Sequence, residues 1–329
     1  MNDLSHRLCV APMMDWTDRH CRFFLRQISR YARLYTEMIT TGPLLYGDVA
    51  RHLDFHPAEH PLALQLGGSD PAALATAAGL GARWGYDEIN LNVGCPSERV
   101  QTGSFGACLM ADPALVAQCV RAMCDAVHVP VTVKHRIGLD AGEDYGFVRD
   151  FVGVVGRAGC NVFIVHARNA VLKGLSPKEN REVPPLRYEV VHRLKRDFPQ
   201  YTIVINGGFA TWDAIAGELS QVDGTMLGRV AYHDPYILAG ADARVFGDAA
   251  SPRSRVDVVH AMLPYVAAQR AKGVPLHSIV RHMLGLYHGM PNARLWRRML
   301  SDSMKLKDAG PQLLVDALKE VEPELAPAH

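Results

Sequence analysis

The sequence predicts an α/β protein: an eight-stranded parallel (β/α) barrel of the TIM type followed by a small all-helical domain. Three observations support that expectation. Eight short apolar or β-branched runs recur along residues 1–240, as strands bounded by turn residues do. Amphipathic stretches separate them, the alternation expected of parallel strands joined by crossover helices. After the segment Gly247–Arg255, which reads as a linker, only helical patterns remain. Periodicity alone leaves a doubly wound open sheet as the second reading. The length of 329 residues suits a barrel plus an appendage.

In chain order, strands are expected at Leu8–Pro12, Leu34–Met38, Leu62–Leu66, Glu88–Leu91, Val131–His135, Val162–His166, Thr202–Asn206 and Gly224–Leu227. Helices are expected at Pro71–Arg83, Pro113–Ala126, Tyr145–Arg157, Tyr188–Asp197 and Thr211–Leu219. Four more follow, at Val256–Lys272, Ser278–His288, Ala293–Lys307 and Pro311–Val321. Asp70-Pro71 and Asp112-Pro113 each set a capping carboxylate before a proline at the first helical position. Thr211 offers another cap, and Gly159 supplies a left-handed residue at a helix end. The domains expected are 1–246, a linker at 247–255, and 256–329 with a fraying tail from Pro323.

Hydrophobic residues make up 48% and charged residues 21%, too apolar a balance for disorder. No run approaches the roughly 18–20 apolar residues that cross a bilayer. Met1–Arg7 lacks a signal-peptide pattern, so a cytoplasmic protein without a membrane partner is expected. Seven cysteines with no Cys-x-x-Cys pair argue against a disulfide framework or zinc ribbon. His52, His56 and His60 have helical metal-ligand spacing, but Pro57 and Pro61 break that helix, and no metal is expected. The net charge of +1 hides an asymmetry: −3 over 1–250, +8 over 251–307 and −4 over 308–329. A basic block on a neutral chain points to a polyanionic partner. By charge alone, a solvated helical surface explains it equally well.

Polar residues gather at the C-terminal ends of the predicted strands, the rim where barrel enzymes keep their chemistry. The first strand ends Ala11-Pro12-Met13-Met14, and the third reaches Gln65 before Gly67-Gly68. The fourth runs into Asn90-Leu91-Asn92-Val93-Gly94-Cys95-Pro96. The fifth carries Lys134, the sixth His166, the seventh Asn206-Gly207-Gly208 and the eighth Gly228-Arg229. Gly-rich turns after the last two strands form the usual barrel phosphate site, where backbone N–H groups face an anion and an arginine adds a charge-assisted contact. Lys134 could face either side of its strand; turned to the rim, it suits a cofactor edge that gains negative charge on reduction. His166 could donate to the same edge or be a satisfied core histidine, and Gln65 carries the same ambiguity. Gly79-Leu80-Gly81 falls at a helix end, so it is rejected as a dinucleotide fingerprint. Cys95 stands apart from the other cysteines, between Gly94 and Pro96 on a rim loop. The polar, glycine-bearing segment 97–107 behind it reads as a mobile lid. A thiol there is a candidate acid or nucleophile.

Together these blocks resemble the tRNA-dihydrouridine synthase family, a set of flavin enzymes. The matching blocks are Ala11-Pro12-Met13, Asn90 to Pro96, Val133-Lys134-His135-Arg136, His166-Ala167-Arg168, Asn206-Gly207-Gly208 and Gly228-Arg229. The flavin rim is shared with other barrel flavoproteins, whereas the Asn-x-Gly-Cys-Pro block is highly specific. Residues 173–181 and 292–298 resemble the A subfamily. The resemblance implies an FMN-binding catalytic barrel over 1–246 and a helical tRNA-binding domain over 256–329. It implies an NAD(P)H-using oxidoreductase that reduces the C5–C6 double bond of D-loop uridines, at positions 20 and 20a. NADPH would reduce FMN, the flavin would pass hydride to C6, and Cys95 would protonate C5.

By the same resemblance Pro12, Met13, Met14, Gln65, Lys134, His166, Asn206, Gly207, Gly208, Gly228 and Arg229 surround FMN, and Asn92 touches the substrate nucleotide. A free thiol, with an ordinary pKa near 8.5, is mostly protonated at neutral pH and can serve as an acid. Arg294, Arg297 and Arg298 lie at i, i+3, i+4 on one helix face and are expected to grip tRNA. Lys178, Asn180 and Arg181 offer a second contact region, and a monomer is expected. The alternative is a small-molecule FMN oxidoreductase of the dihydroorotate-dehydrogenase type, against which the +8 block argues. A non-catalytic RNA-binding protein on an inherited barrel is opposed by the intact Cys95 and flavin rim.

Overall fold

The computed structural model describes residues 6–97, 103–140 and 144–322. Of the predicted lid, 98–102 lie outside the described residues, as does the tail from 323. Eight parallel strands close into a barrel in chain order. They are β1 Leu8–Val10, β2 Arg33–Thr40, β3 Leu62–Gly67, β4 Glu88–Val93, β5 Val131–Arg136, β6 Val162–His166, β7 Thr202–Asn206 and β8 Gly224–Leu227. β1 pairs with β8, Cys9 opposite Met226 and Val10 opposite Leu227, which excludes the open sheet.

The local signals act as read. Asp70 accepts from Ala73 N at 2.6 Å, Asp112 from Leu115 N at 3.0 Å and Thr211 from Ala214 N at 3.3 Å, caps of about 1 kcal/mol each. Gly159 follows the helix Tyr145–Arg157 with φ 120°. A Cβ on Gly81 would stand 2.5 Å from Leu64 and 2.9 Å from Ile89. That glycine therefore lets the helix Pro71–Trp84 lie close on β3 and β4.

The barrel interior holds Cys9, Ala11, Tyr35, Ala63, Val162, Ile164, Val204 and Met226, with Met13 packed against them. The other strand face meets the helices: His135 lies against Phe151 of the helix Tyr145–Arg157, ring centroids 5.0 Å apart. Thr132 and Lys134, two residues apart on the opposite face, point into the barrel. β2 has a register shift between Tyr35 and Met38, and there the Thr36 hydroxyl accepts the Gln65 backbone N–H at 3.0 Å.

The chain forms two compact units, residues 1–14, 33–55 and 60–228, and residues 15–32, 56–59 and 229–329. The second unit is helical and includes the segment 247–255 as well as the helix Arg19–Ile28 from near the N-terminus. Asp18 caps that helix, accepting from His20 N and Cys21 N, and also takes Arg281 at 2.8 Å and His282 at 3.0 Å. Two expected helices differ. In place of 278–288 there is a helix Leu276–Val280, a 3-10 turn Arg281–Met283 and then irregular chain. Met283 O accepts the i+3 amide of Leu286 at 3.0 Å together with Trp296 Nε1 at 2.8 Å in place of an i+4 helical bond, and Leu286 O accepts Arg255 Nε at 2.9 Å. The expected 293–307 helix is two, Ala293–Ser301 and Ser303–Asp308, because Asp302 is extended and caps the second through Met304 N and Lys305 N.

Candidate active site

Polar side chains line the barrel interior toward its C-terminal mouth. β4 places Glu88, Asn90 and Asn92 on one face by simple alternation, and that face is the interior. Gln65 on β3 hydrogen-bonds both Asn90 and Asn92. Beyond β4 the Asn92 side chain closes an Asx-type turn on Gly94 N and Cys95 N, which presents Cys95, half-buried. The turn is held at both ends: Cys95 N donates to Asn92 Oδ1 at 3.0 Å, and Cys95 O accepts from Ala107 N at 2.9 Å. The thiol donates to Ser97 Oγ at 3.5 Å.

Across the mouth, Lys134 Nζ donates to Asn206 Oδ1 at 3.1 Å, and Asn206 Nδ2 donates to Met226 O at 2.8 Å. Burial pulls the Lys134 ammonium down from 10.5 to about 7, with the Arg136 charge adding to the shift and Cys95 opposing it. Arg136, at 3% exposure, belongs to one of the family-like blocks, in which it has no expected role. Its Nε donates to Gly94 O at 3.2 Å, and its Nη1 to Asn169 O at 3.0 Å and Asn180 O at 2.9 Å. It therefore ties the Cys95 turn to the loop after β6. Burial lowers it from 12.5 to about 10. Burial, then the charges of Arg136 and Lys134, hold His166 well below 6.5 and keep it neutral at pH 7.

Gly207 and Gly208 adopt φ of 138° and 75°, in the left-handed range that favours glycine. Tyr188 OH donates to Gly207 O at 2.6 Å and fixes that turn. A Cβ on Gly228 would meet nothing within 4 Å. Arg229 is exposed and precedes the short helix Val230–His233. Pro12 and Met13 are half-buried, and Met14 is 56% exposed. Desolvated cations with carbonyl partners, a neutral imidazole and two glycine turns fit a flavin mononucleotide. They supply donors for a ring edge that gains negative charge and open backbone for a phosphate.

The expected tRNA contacts divide. Lys178 and Arg181 are exposed. Asn180 is a correction, because its side chain is fully buried and committed to its own loop. Oδ1 accepts from Val171 N at 2.8 Å, and Nδ2 donates to Val171 O at 2.9 Å and Leu175 O at 3.2 Å. It shapes the segment carrying Lys178 and Arg181 and does not face solvent. In the helical unit, Arg294, Arg297 and Arg298 are exposed and line an open groove of about 650 Å³ with Gly289 and Met290. Trp296 is buried beneath them.

The interior row Glu88, Asn90, Thr132 was missed as a functional set. The signal was present: a parallel strand covered on both faces should be near-continuously apolar, and Glu-Ile-Asn-Leu-Asn-Val is polar at every second position.

A closed parallel barrel with a backbone-pinned cysteine, buried cations and glycine turns at its C-terminal mouth is the architecture of a barrel flavoenzyme. The chain belongs to the dihydrouridine synthase (Dus) family, whose model matches residues 9–322. It is 57% identical over 318 residues to the tRNA-dihydrouridine(20/20a) synthase of Pseudomonas aeruginosa, covering 97% of this chain and 96% of the relative. The protein of the same name from Synechocystis sp. is 57% identical over 95% of this chain and 93% of its own. That from Vibrio parahaemolyticus is 53% identical over 98% of each.

Proposed function

We propose that this protein reduces the C5–C6 double bond of D-loop uridines in tRNA, at positions 20 and 20a, to dihydrouridine. FMN is its cofactor, NADPH its reductant and Cys95 its proton donor. The observation that carries the reading is a cysteine whose backbone is fixed at the barrel mouth by Asn92 and Ala107, with Lys134 and Arg136 as its charged neighbours. The relatives' names support the substrate.

Lys134, His166, Asn206 and Gln65, with Pro12, Met13 and Met14, would hold the flavin ring, and Gly207, Gly208, Gly228 and Arg229 its phosphate. When bound, the flavin supplies the hydride for C6, chemistry that no side chain performs. Cys95 gives its proton to C5 and is left as a thiolate, whose charge Lys134 and Arg136 offset until solvent reprotonates it. Asn92 contacts the target nucleotide, which must leave the tRNA stack to enter the barrel. Arg294, Arg297, Arg298, Lys178 and Arg181 grip the tRNA backbone. The protein acts as a monomer in the cytoplasm.

The test is Cys95→Ala. The variant should bind FMN and be reduced by NADPH as the parent is, yet form dihydrouridine about a hundredfold to ten-thousandfold more slowly. Cys108→Ala is the control. Parental turnover in Cys95→Ala removes the assignment, and a protein that takes up no flavin from excess FMN removes the cofactor.

A further inference from the structure

Five side chains form an unbroken run of hydrogen bonds inside the barrel, from the Cys95 turn to its far end. Gly94 N and Cys95 N donate to Asn92 Oδ1 at 3.1 and 3.0 Å. Asn92 Nδ2 donates to Gln65 Oε1 at 2.9 Å, and Gln65 Nε2 to Asn90 Oδ1 at 2.7 Å. Asn90 Nδ2 donates to Thr132 Oγ1 at 2.8 Å, and Thr132 Oγ1–H to Glu88 Oε1 at 2.6 Å. Every bond runs in the same sense.

The two ends fix that sense. Backbone N–H groups can only donate. Glu88 can only accept: burial raises its carboxyl, but His6 at 2.7 Å and Arg33 at 3.4 Å outweigh burial and lower it from 4.5 to about 2. Between such ends no amide can turn over without setting donor against donor. Gln65, Asn90, Thr132 and Glu88 are at most 1% exposed, so solvent cannot readily replace a broken hydrogen bond. Aligned bonds also polarise one another, which favours a single arrangement.

We infer that Glu88, acting through Thr132 and Asn90, is the anchor that orients the Gln65 and Asn92 amides and thereby holds the Cys95 turn in one conformation. Glu88, Thr132 and Asn90 are positioning residues; they act through Asn92. Without the anchor, Asn92 can present Nδ2 to two N–H donors, and the turn loses its cap. The functional weight of this inference rests on Cys95 as the proton donor. A reacting group misplaced by about 1 Å costs on the order of a hundredfold in rate.

The experiment uses the full chain loaded with FMN. In the parent, the Gly94 and Cys95 amides should exchange hydrogen slowly, as strand amides do. Thr132→Val keeps the shape and cuts the run. It should speed exchange at Gly94 and Cys95 by about tenfold, change the alkylation rate of Cys95, and lower kcat for tRNA reduction about tenfold with KM for tRNA little changed. Thr132→Ser should restore all three. If Thr132→Val only melts earlier, with exchange at the turn and kcat at parental values, Thr132 is structural and the inference fails. Fast exchange of Gly94 and Cys95 in the parent overturns it without any variant, which covers a Thr132→Val chain that does not fold. Failure of the proton-donor reading is separate: it appears as parental turnover in Cys95→Ala while the exchange results stand.

Discussion

Lys134 projects into the barrel, where desolvation draws its ammonium from 10.5 to about 7. The sign of the stability effect follows. The folded-state value lies below the unfolded one, so the unfolded chain holds more protons between pH 7 and 10.5, and stability rises with pH across that window. Below pH 7 the full penalty of burying the cation is present. Lys134→Met should therefore melt higher than the parent at pH 6 in flavin-free protein, by several degrees, given about 2–4 °C per kcal/mol for a domain of this size. The advantage should shrink toward pH 10. The same change should weaken FMN binding, a trade of function for stability. Calorimetry at pH 6 and pH 9 with a flavin titration checks both arms, and an unchanged melting point at pH 6 counts against the desolvated cation. The lysine itself was legible in the sequence, but its direction was not. A barrel strand is buried on both faces, so alternation of Thr132 and Lys134 with Val133 and His135 does not say which face is the interior.

The helix Ala293–Ser301 buries one face and leaves a basic face exposed. Trp296 is buried and donates to Met283 O, while Arg294, Arg297 and Arg298 are exposed. Replacing Arg297 and Arg298 by Ala should leave helix content and NADPH-driven flavin reduction intact and weaken tRNA binding. Removing one arginine–phosphate interaction should flatten the log-affinity against log-salt slope by about 0.7–0.9. Binding isotherms at several salt concentrations decide it; an unchanged slope and affinity would assign these arginines to surface ion pairs worth about 0–1 kcal/mol. The face was readable from i, i+3, i+4 spacing because that geometry is local. The helix ends at Asp302 and in the chain after Met283 were not, because a carboxylate turned back on Met304 N and a carbonyl captured by Trp296 are choices made by packing.

At the scale of the molecule, Glu88 ties the far end of the barrel together, meeting His6 ahead of β1, Arg33 and Tyr35 on β2 and Thr132 on β5. Its folded-state value of about 2 lies below the ordinary 4.5, so its contribution is whole above pH 4.5 and is lost as pH falls toward 2. Glu88→Gln should cost about 3–5 kcal/mol at pH 7 by leaving Arg33 buried beside a neutral partner. It should also flatten the acid limb of the stability profile; urea melts at pH 3, 5 and 7 measure this, and a limb as steep as the parent's would place the acid lability elsewhere. By itself the sequence determined the order of the eight strands, the caps at Asp70, Asp112 and Thr211, the Asn92 to Pro96 block with its thiol, and the family those blocks resemble. All of these depend on residues a few positions apart, where periodicity, turn chemistry and motif spacing operate. Only the tertiary structure decided that Lys134 faces inward, that Asn180 is spent inside its own loop, and that residues 15–32 join the helical unit. It also decided that Glu88 reaches Tyr35 and Thr132, 53 and 44 positions away. Those pairings exist because closing the barrel fixes one register for all eight strands, and register is a property of the closed sheet that no single segment contains.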